Sequence, residues 1–175
     1  PSDEATQIGT VISMDHLEKV EFYINLAIEE GGTILTGGTR SMMGGVGPTP
    51  EGAYLAPTVI GGLSHLSRCA TEEIFGPVVT VHTFDRLAEV TEMANATDYG
   101  LAGSIWTQDV EVGKALAKTI ETGIVWINTW LHRDLRTPFG GVKHSGVGRE
   151  GGQWSLGFFS ETTNICVMNP RELDD

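Results

Sequence analysis

Three features of the sequence predict an α/β fold built on a parallel sheet. Apolar runs of strand length at 78–84, 103–106 and 124–127 alternate with amphipathic stretches of helical period at 87–96 and 110–120. Strand, helix, strand, helix, strand at such short spacing means parallel strands joined by right-handed crossovers. The length of 175 residues, 40% of them hydrophobic, is that of one domain with a real core. The run at 124–127 ends at a polar Asn128 and feeds a loop rich in arginine, proline and glycine. Ligands on such sheets bind beyond the carboxyl ends of the strands.

Residues 1–12 hold turn formers and one apolar pair, a connection. Ser13 or Asp15 can cap a helix, because their oxygens accept the open amide hydrogens of a first turn. Leu17, Val20, Ile24, Ala27 and Ile28 recur at helical spacing, and Gly31-Gly32 ends the helix through a left-handed cap. A strand follows at 33–36, closed by Gly37-Gly38. From 39 to 52 Gly, Pro, Met and Ser predominate, the composition of a mobile loop. Met42 and Met43 there could line a partner surface or do nothing, and Gly44-Gly45 lacks the Lys-Ser/Thr pair of a phosphate loop. Residues 54–60 are extended, with Pro57 demoting them to an edge or irregular strand.

The alternating run at 78–84 has the pattern of a buried strand, after which Asp85 can cap a helix over 87–96 with Val90, Met93 and Ala94 inward. The helix over 110–120 has Val112, Ala115, Leu116 and Ile120 as its apolar stripe, and Gly123 ends it. Beyond the loop, 153–159 is a short helix and 161–167 alternates as a strand, with Cys166 at a strand position; the acidic 169–175 is a frayed tail.

A net charge of −12 and a pI near 4.7 exclude a nucleic-acid or anionic-membrane partner, since 11 basic residues are spread among 23 acids. No run approaches the roughly 20 apolar residues of a membrane span, and no signal peptide opens the chain. Cys69 and Cys166 are too few for a disulfide framework, and a reducing cytoplasm fits.

The stretch 125–150 organises the chain. It runs Val-Trp-Ile-Asn, then Trp130-Leu131-His132-Arg133-Asp134-Leu135-Arg136, then Thr137-Pro138-Phe139-Gly140-Gly141, and ends on Gly148-Arg149-Glu150. Rigid strands followed by loops concentrate binding groups, yet spacing alone reads equally as a surface loop whose glycines only make turns. Upstream lies Glu72-Glu73-Ile74-Phe75-Gly76-Pro77. That run, followed by the Asn and Pro-Phe-Gly-Gly, resembles the C-terminal active-site segment of the aldehyde dehydrogenase superfamily, over about residues 8–167. The resemblance implies the parallel-sheet catalytic-domain portion of that fold over 1–159 and an oligomerisation strand and tail over 160–175. It also implies that the NAD-binding domain, the nucleophilic cysteine and the general-base glutamate belong upstream. The chain, which opens on Pro1, is then expected to be an inactive fragment, with Cys69 a small structural residue.

The resemblance assigns further expectations. Glu73 accepts hydrogen bonds from the nicotinamide-ribose hydroxyls of NAD and Phe75 packs beside them; otherwise they are a solvated acid and a core aromatic. Phe139 narrows the pocket at the reacting carbon, Asn128 and Gly140-Gly141 hold the loop in shape, and His132 is a rim residue. Lys143 and Gly146 match a monovalent-cation site of some relatives, and Glu150 a charge relay. Arg133 and Arg136 read as forks for a substrate carboxylate, although either could instead pair with Asp134 or a neighbouring subunit, so that one alone is expected to touch substrate. Within the family the loop is most similar to the dehydrogenases of 2-hydroxymuconate and 2-aminomuconate semialdehyde, with Trp130 and Leu131 stacking on a flat conjugated aldehyde. The other readings are a retinal-type or betaine-type aldehyde dehydrogenase, or a non-catalytic module for assembly into a dimer or tetramer.

Overall fold

The computed structural model describes residues 4–40 and 52–168. Met42, Met43, Gly44, Gly45, most of the 39–52 loop and the 169–175 tail lie outside these residues. The chain divides into two compact units, Pro1–Asp98 and Tyr99–Asp175, where length alone suggests one.

In the first unit, α1 (Met14–Glu29) begins as its sequence dictates: extended Ser13 accepts the His16 N–H on Oγ at 3.1 Å. Leu17, Val20, Ile24 and Ala27 are buried as expected, and Tyr23 joins them. Ile28 does not; it is 55% exposed, one residue past the stripe, while Tyr23 sits one turn above Ala27 on the buried face. Gly31 ends the helix at φ 88°, and Gly32 N–H closes on the Ala27 carbonyl at 2.7 Å.

Strands β1 (Thr33–Thr36) and β2 (Thr58–Gly61), the single-turn helix α2 (Arg68–Thr71), β3 (Val78–Val81) and α3 (Leu87–Asn95) complete the unit. The sheet order is β1-β2-β3, with β1 antiparallel and β3 parallel to β2. This corrects the expectation of an edge strand near Pro57. The ladder starts one residue later, at Thr58, whose N–H reaches the Pro77 carbonyl at 2.8 Å, so the missing proline N–H removes no bond. Strand β3 stops at Val81 and is not fully buried, because Val79 and Val81 stay about half exposed on one face. Asp85 does not cap α3; Arg86 occupies the N-cap without a side-chain capping bond, its Nε donating instead to Glu89 Oε1 at 2.8 Å, and the Asp85 N–H donates to Glu89 Oε2 at 3.1 Å. On α3, Val90 and Met93 are half-buried and Ala94 is exposed. The core packs α1 against Leu55, Ile60, Leu63 and Ile74.

The second unit holds β4 (Tyr99–Gly100), β5 (Ala102–Ile105), α4 (Val110–Ala117), β6 (Ile124–Ile127), β7 (Val142–Lys143) and α5 (Gly152–Phe159). Strands β5 and β6 pair in parallel, Ala102 opposite Ile124, across α4, while β4 and β7 pair antiparallel. The single parallel run expected across β3, β5 and β6 is thus divided into two parallel pairs, β2-β3 and β5-β6. Asp109 caps α4, its Oδ1 accepting from Glu111 and Val112 N–H at 3.0 and 3.1 Å. The expected stripe of α4 is only partly realised, since the buried position is Gly113 while Leu116 and Ile120 are half-buried and Val112 and Ala115 exposed. A Cβ at Gly113 would lie 3.2 Å from Ile127 Cγ2, so its absence lets helix and strand approach.

Residues 161–168 form no strand and are exposed throughout. The alternation there satisfies a strand only where an edge is available to pair with, and no described strand pairs with it.

Candidate active site

The first unit carries the Glu72-Glu73-Ile74-Phe75-Gly76-Pro77 turn between α2 and β3. Phe75 sits at φ 59°, in the left-handed region that a bulky residue rarely enters, and its ring is 71% exposed. Two contacts hold it: the His16 Nε2–H donates to its carbonyl at 2.6 Å, and the two rings meet edge to face at 6.0 Å. Sequence reasoning missed His16, which is 59 residues away and carries no motif of its own.

The adjacent carboxylates divide their roles. Glu72 receives the Arg68 fork at 2.7 and 3.0 Å and the Tyr23 hydroxyl at 2.7 Å, which hold its pKa down at about 2. Glu73 is exposed and accepts no hydrogen bond from any described residue. Buried Ile74 anchors the turn beneath it. Glu73 and Phe75 border one cleft of about 310 Å³. An open two-oxygen acceptor beside an exposed aromatic face fits a sugar diol and a flat ring, so the residues present suit the ribose and nicotinamide end of a dinucleotide.

Cys69 lies behind this turn. It is buried, its Sγ–H donates to the Tyr23 carbonyl at 3.2 Å, and burial with the nearby Glu30 pushes the thiol up to about 12. A thiol so held is not a nucleophile at neutral pH. Glu30 caps α2 in place of a Ser67 side-chain bond, accepting the Arg68 and Cys69 N–H groups at 2.9 and 3.3 Å. Cys166 is exposed, and both cysteines are free.

In the second unit the loop after β6 is tied down by polar contacts. Asn128, at φ 54°, clasps Thr107 in both directions, accepting its N–H and donating to its carbonyl at 2.8 Å each. The Trp126 indole N–H donates to the His132 carbonyl at 2.7 Å, and its ring meets Trp130 at 5.1 Å. Trp130 and Leu131 project from this support, 58% and 65% exposed. Gly123 shows how closely the pieces abut: a Cβ there would lie 1.7 Å from the Gly140 carbonyl oxygen.

The two arginines differ. Arg136 is committed to Asp134, with Nε at 2.9 Å from Oδ1 and Nη2 at 2.5 Å from Oδ2, and this pairing holds the Asp134 carboxyl below its usual range. The pair closes a turn in which Asp134 Oδ1 also accepts the Arg136 N–H. Arg133 instead lies over the face of Phe139, its guanidinium carbon 3.9 Å from the ring centroid, and donates from Nη2 to Glu150 Oε1 at 2.6 Å. Phe139 and Glu150 are themselves locked by two reciprocal backbone bonds of 2.8 Å. Phe139, Gly141, Arg149 and Glu150 border a cleft of about 390 Å³. Arg149, absent from the expected set, pins the glycine turn by donating from Nη1 to the Gly141 and Gly148 carbonyls at 2.7 Å each.

Lys143 sits in β7 at φ 53° with its ammonium 2.8 Å from Glu121, and Gly146 lies in the following turn at φ 148°. Among the described residues no group of His, Cys, Asp and Glu side chains is placed to hold a metal ion, and no helix is long and apolar enough to cross a membrane. The structure thus gathers Arg133, Phe139 and Glu150 in the second unit and Glu73 with Phe75 in the first.

Residues 1–165 match the Aldehyde dehydrogenase family model. Over its full length the chain is 47% identical to 2-aminomuconic 6-semialdehyde dehydrogenase from Pseudomonas sp, covering 35% of that protein. Over 171 residues, 95% of this chain and 34% of the other, it is 46% identical to 2-hydroxymuconic semialdehyde dehydrogenase from Pseudomonas sp. (strain CF600). The fold superposes on betaine aldehyde dehydrogenase from Staphylococcus aureus in complex with NAD+ with a TM-score of 0.83, at 38% identity, over 90% of this chain and 30% of that one. The chain therefore spans about a third of the length of the curated relatives it matches. The family match over nearly the whole sequence, together with the two turns that carry its motifs, makes the chain a member of the aldehyde dehydrogenase family.

Proposed function

We propose that this chain is the C-terminal part of an NAD-dependent aldehyde dehydrogenase that oxidises a carboxylated, conjugated semialdehyde of the muconic type to the dicarboxylate, in aromatic catabolism. The observation that carries the reading is Arg133, whose guanidinium carbon lies 3.9 Å over the ring of Phe139, itself a wall of a cleft. A planar fork held against an aromatic wall suits a carboxylate at the end of a flat chain, and it would repel a cationic aldehyde such as betaine aldehyde. Relatives named for muconic semialdehydes support the same reading.

When bound, the nicotinamide supplies the hydride acceptor. Glu73 would hold the ribose hydroxyls, and Phe75, pinned by His16, would flank the ring. Phe139 would exclude water near the aldehyde, while Trp130 and Leu131 would cover the conjugated chain. Neither cysteine serves as nucleophile in this reading, so the 175 residues alone should form no NADH. A monovalent cation near Lys143 and Gly146 would be held by main-chain oxygens, since the Lys143 ammonium is paired with Glu121. Exposed Ile165 and Val167 suit a segment that pairs with a neighbouring subunit, and two free thiols suit the cytoplasm.

The test is kinetic. In a complete enzyme carrying this segment, Arg133→Ala should raise KM for a muconic semialdehyde by about tenfold or more while leaving a neutral aldehyde within about twofold. Arg136→Ala should shift both equally and little, because its fork is already spent on Asp134. Equal effects of Arg133→Ala on both substrates would remove the carboxylate reading.

A further inference from the structure

We infer that Glu150 is the positioning residue that sets specificity for the carboxylated substrate, by anchoring one corner of the Arg133 guanidinium and leaving the rest of the fork open. The inference rests on the carboxylate reading above and deepens it. Three contacts make one rigid device. The Arg133 Nη2 donates to Glu150 Oε1 at 2.6 Å, the guanidinium carbon sits 3.9 Å over the Phe139 ring, and Phe139 and Glu150 exchange both backbone bonds at 2.8 Å. The side chain that orients the arginine and the ring that supports it are therefore fixed to each other through the main chain.

The arrangement is selective in what it uses. An arginine has five N–H donors, and Glu150 takes one of them through a single oxygen. No other described residue accepts a hydrogen bond from the Arg133 side chain. Nη2 lends one hydrogen to each of the two guanidinium edges, Nε–Nη2 and Nη1–Nη2, so its single bond to Glu150 leaves one whole edge on which a carboxylate can seat both oxygens. Arg136 provides the contrast, because Asp134 takes its Nε and Nη2 together and neutralises it with a bidentate carboxylate two residues away, with no aromatic ring beneath it among the described contacts. A long arginine side chain loses substantial rotamer freedom when ordered, and an anchor present before substrate arrives removes that cost from binding.

Two substitutions in the complete enzyme test this, read as the ratio of kcat/KM for a muconic semialdehyde to that for a neutral aliphatic aldehyde. Glu150→Ala should lower the ratio by about tenfold, mainly through KM of the carboxylated substrate, and Glu150→Gln should lower it less because the amide oxygen keeps an acceptor. Added to Arg133→Ala, Glu150→Ala should lower the ratio no further, since it acts through that arginine. An unchanged ratio for Glu150→Ala would overturn the inference. So would a rise, which would make Glu150 a competitor of the substrate carboxylate. If Arg133→Ala itself leaves the ratio unchanged, the carboxylate reading has failed; if it collapses the ratio while Glu150→Ala does not, only the anchoring role has. A loss of kcat shared equally by both substrates leaves the ratio unchanged and likewise overturns it, pointing to a proton-transfer role instead.

Discussion

Each unit is internally held by different physics. Every buried apolar residue among the described ones except Trp126 lies in the first unit, around α1 and β2. The second unit relies on close backbone approach and on polar clasps such as Asn128 with Thr107, Trp126 with the His132 carbonyl, and Phe139 with Glu150. Yet the second unit carries the loop that would read the substrate. A packed core gives stability without exposing much, whereas a loop fixed by directional bonds can leave Trp130, Leu131 and the Arg133 edge accessible.

The sharpest way to break this comparison is to delete apolar volume from each unit. Leu17 and Ile60 are fully buried, so Leu17→Ala or Ile60→Ala should destabilise by about 2 to 5 kcal/mol in urea unfolding. Leu135→Ala, at a residue 74% exposed, should cost less than about 0.5 kcal/mol. A large loss at Leu135 would mean that the second unit has an apolar core after all. The reverse experiment adds volume. Gly123→Ala places a methyl on the Gly140 carbonyl oxygen and should cost about 1 to 3 kcal/mol. In a complete enzyme it should also displace the Phe139 turn and raise KM.

The same division decides what could be read in advance. Four of the five α1 stripe positions, the β1 and β6 limits and the rough placing of the helices followed from apolar period and turn residues, which are local properties, although α4 ends at Ala117, short of Ile120 and well before Gly123. What escaped was non-local. Tyr23 is buried because Glu72 and Cys69 meet it, and His16 matters because it reaches the Phe75 carbonyl. Pro57 suggested an edge because a sequence does not show at which residue a ladder begins. At the site, residue types were legible but partners were not. Arg133 and Arg136 look alike in sequence, and only the fold assigns Asp134 to one and Glu150 with Phe139 to the other. The left-handed backbone at Phe75, Asn128, Leu131 and Lys143 was equally invisible, since none of these residues is glycine.

Helix caps should erase the difference between the units, because a cap is local wherever it sits. Ser13→Ala removes the bond to His16 N–H and Asp109→Ala the bonds to Glu111 and Val112 N–H. Each should cost about 1 kcal/mol, measured by thermal unfolding. If Asp109→Ala cost far more, α4 would be carrying the second unit to a degree that its shallow burial does not suggest.

The smallest expected effect is on pH dependence, and it reaches both units. Glu72 is held at about 2 by the Arg68 fork and the Tyr23 hydroxyl, and Asp134 is held below its usual range by Arg136. Each carboxyl binds its proton more weakly folded than unfolded. Its stabilising contribution is therefore complete above the ordinary carboxyl range and is lost as pH falls through that range toward the folded value. For Glu72 the window runs from its reference value of 4.5 down to about 2. Both pairs are solvent-accessible, so salt should weaken the effect. Glu72→Gln should flatten the acid limb of a Tm-against-pH curve, and Asp134→Asn should flatten it at slightly lower pH, since its starting value is 3.8. An unaltered limb in Glu72→Gln would show that Arg68 and Tyr23 do not hold that carboxylate in solution, and with it would go the separation of Glu72 from Glu73 on which the open acceptor of the first unit depends.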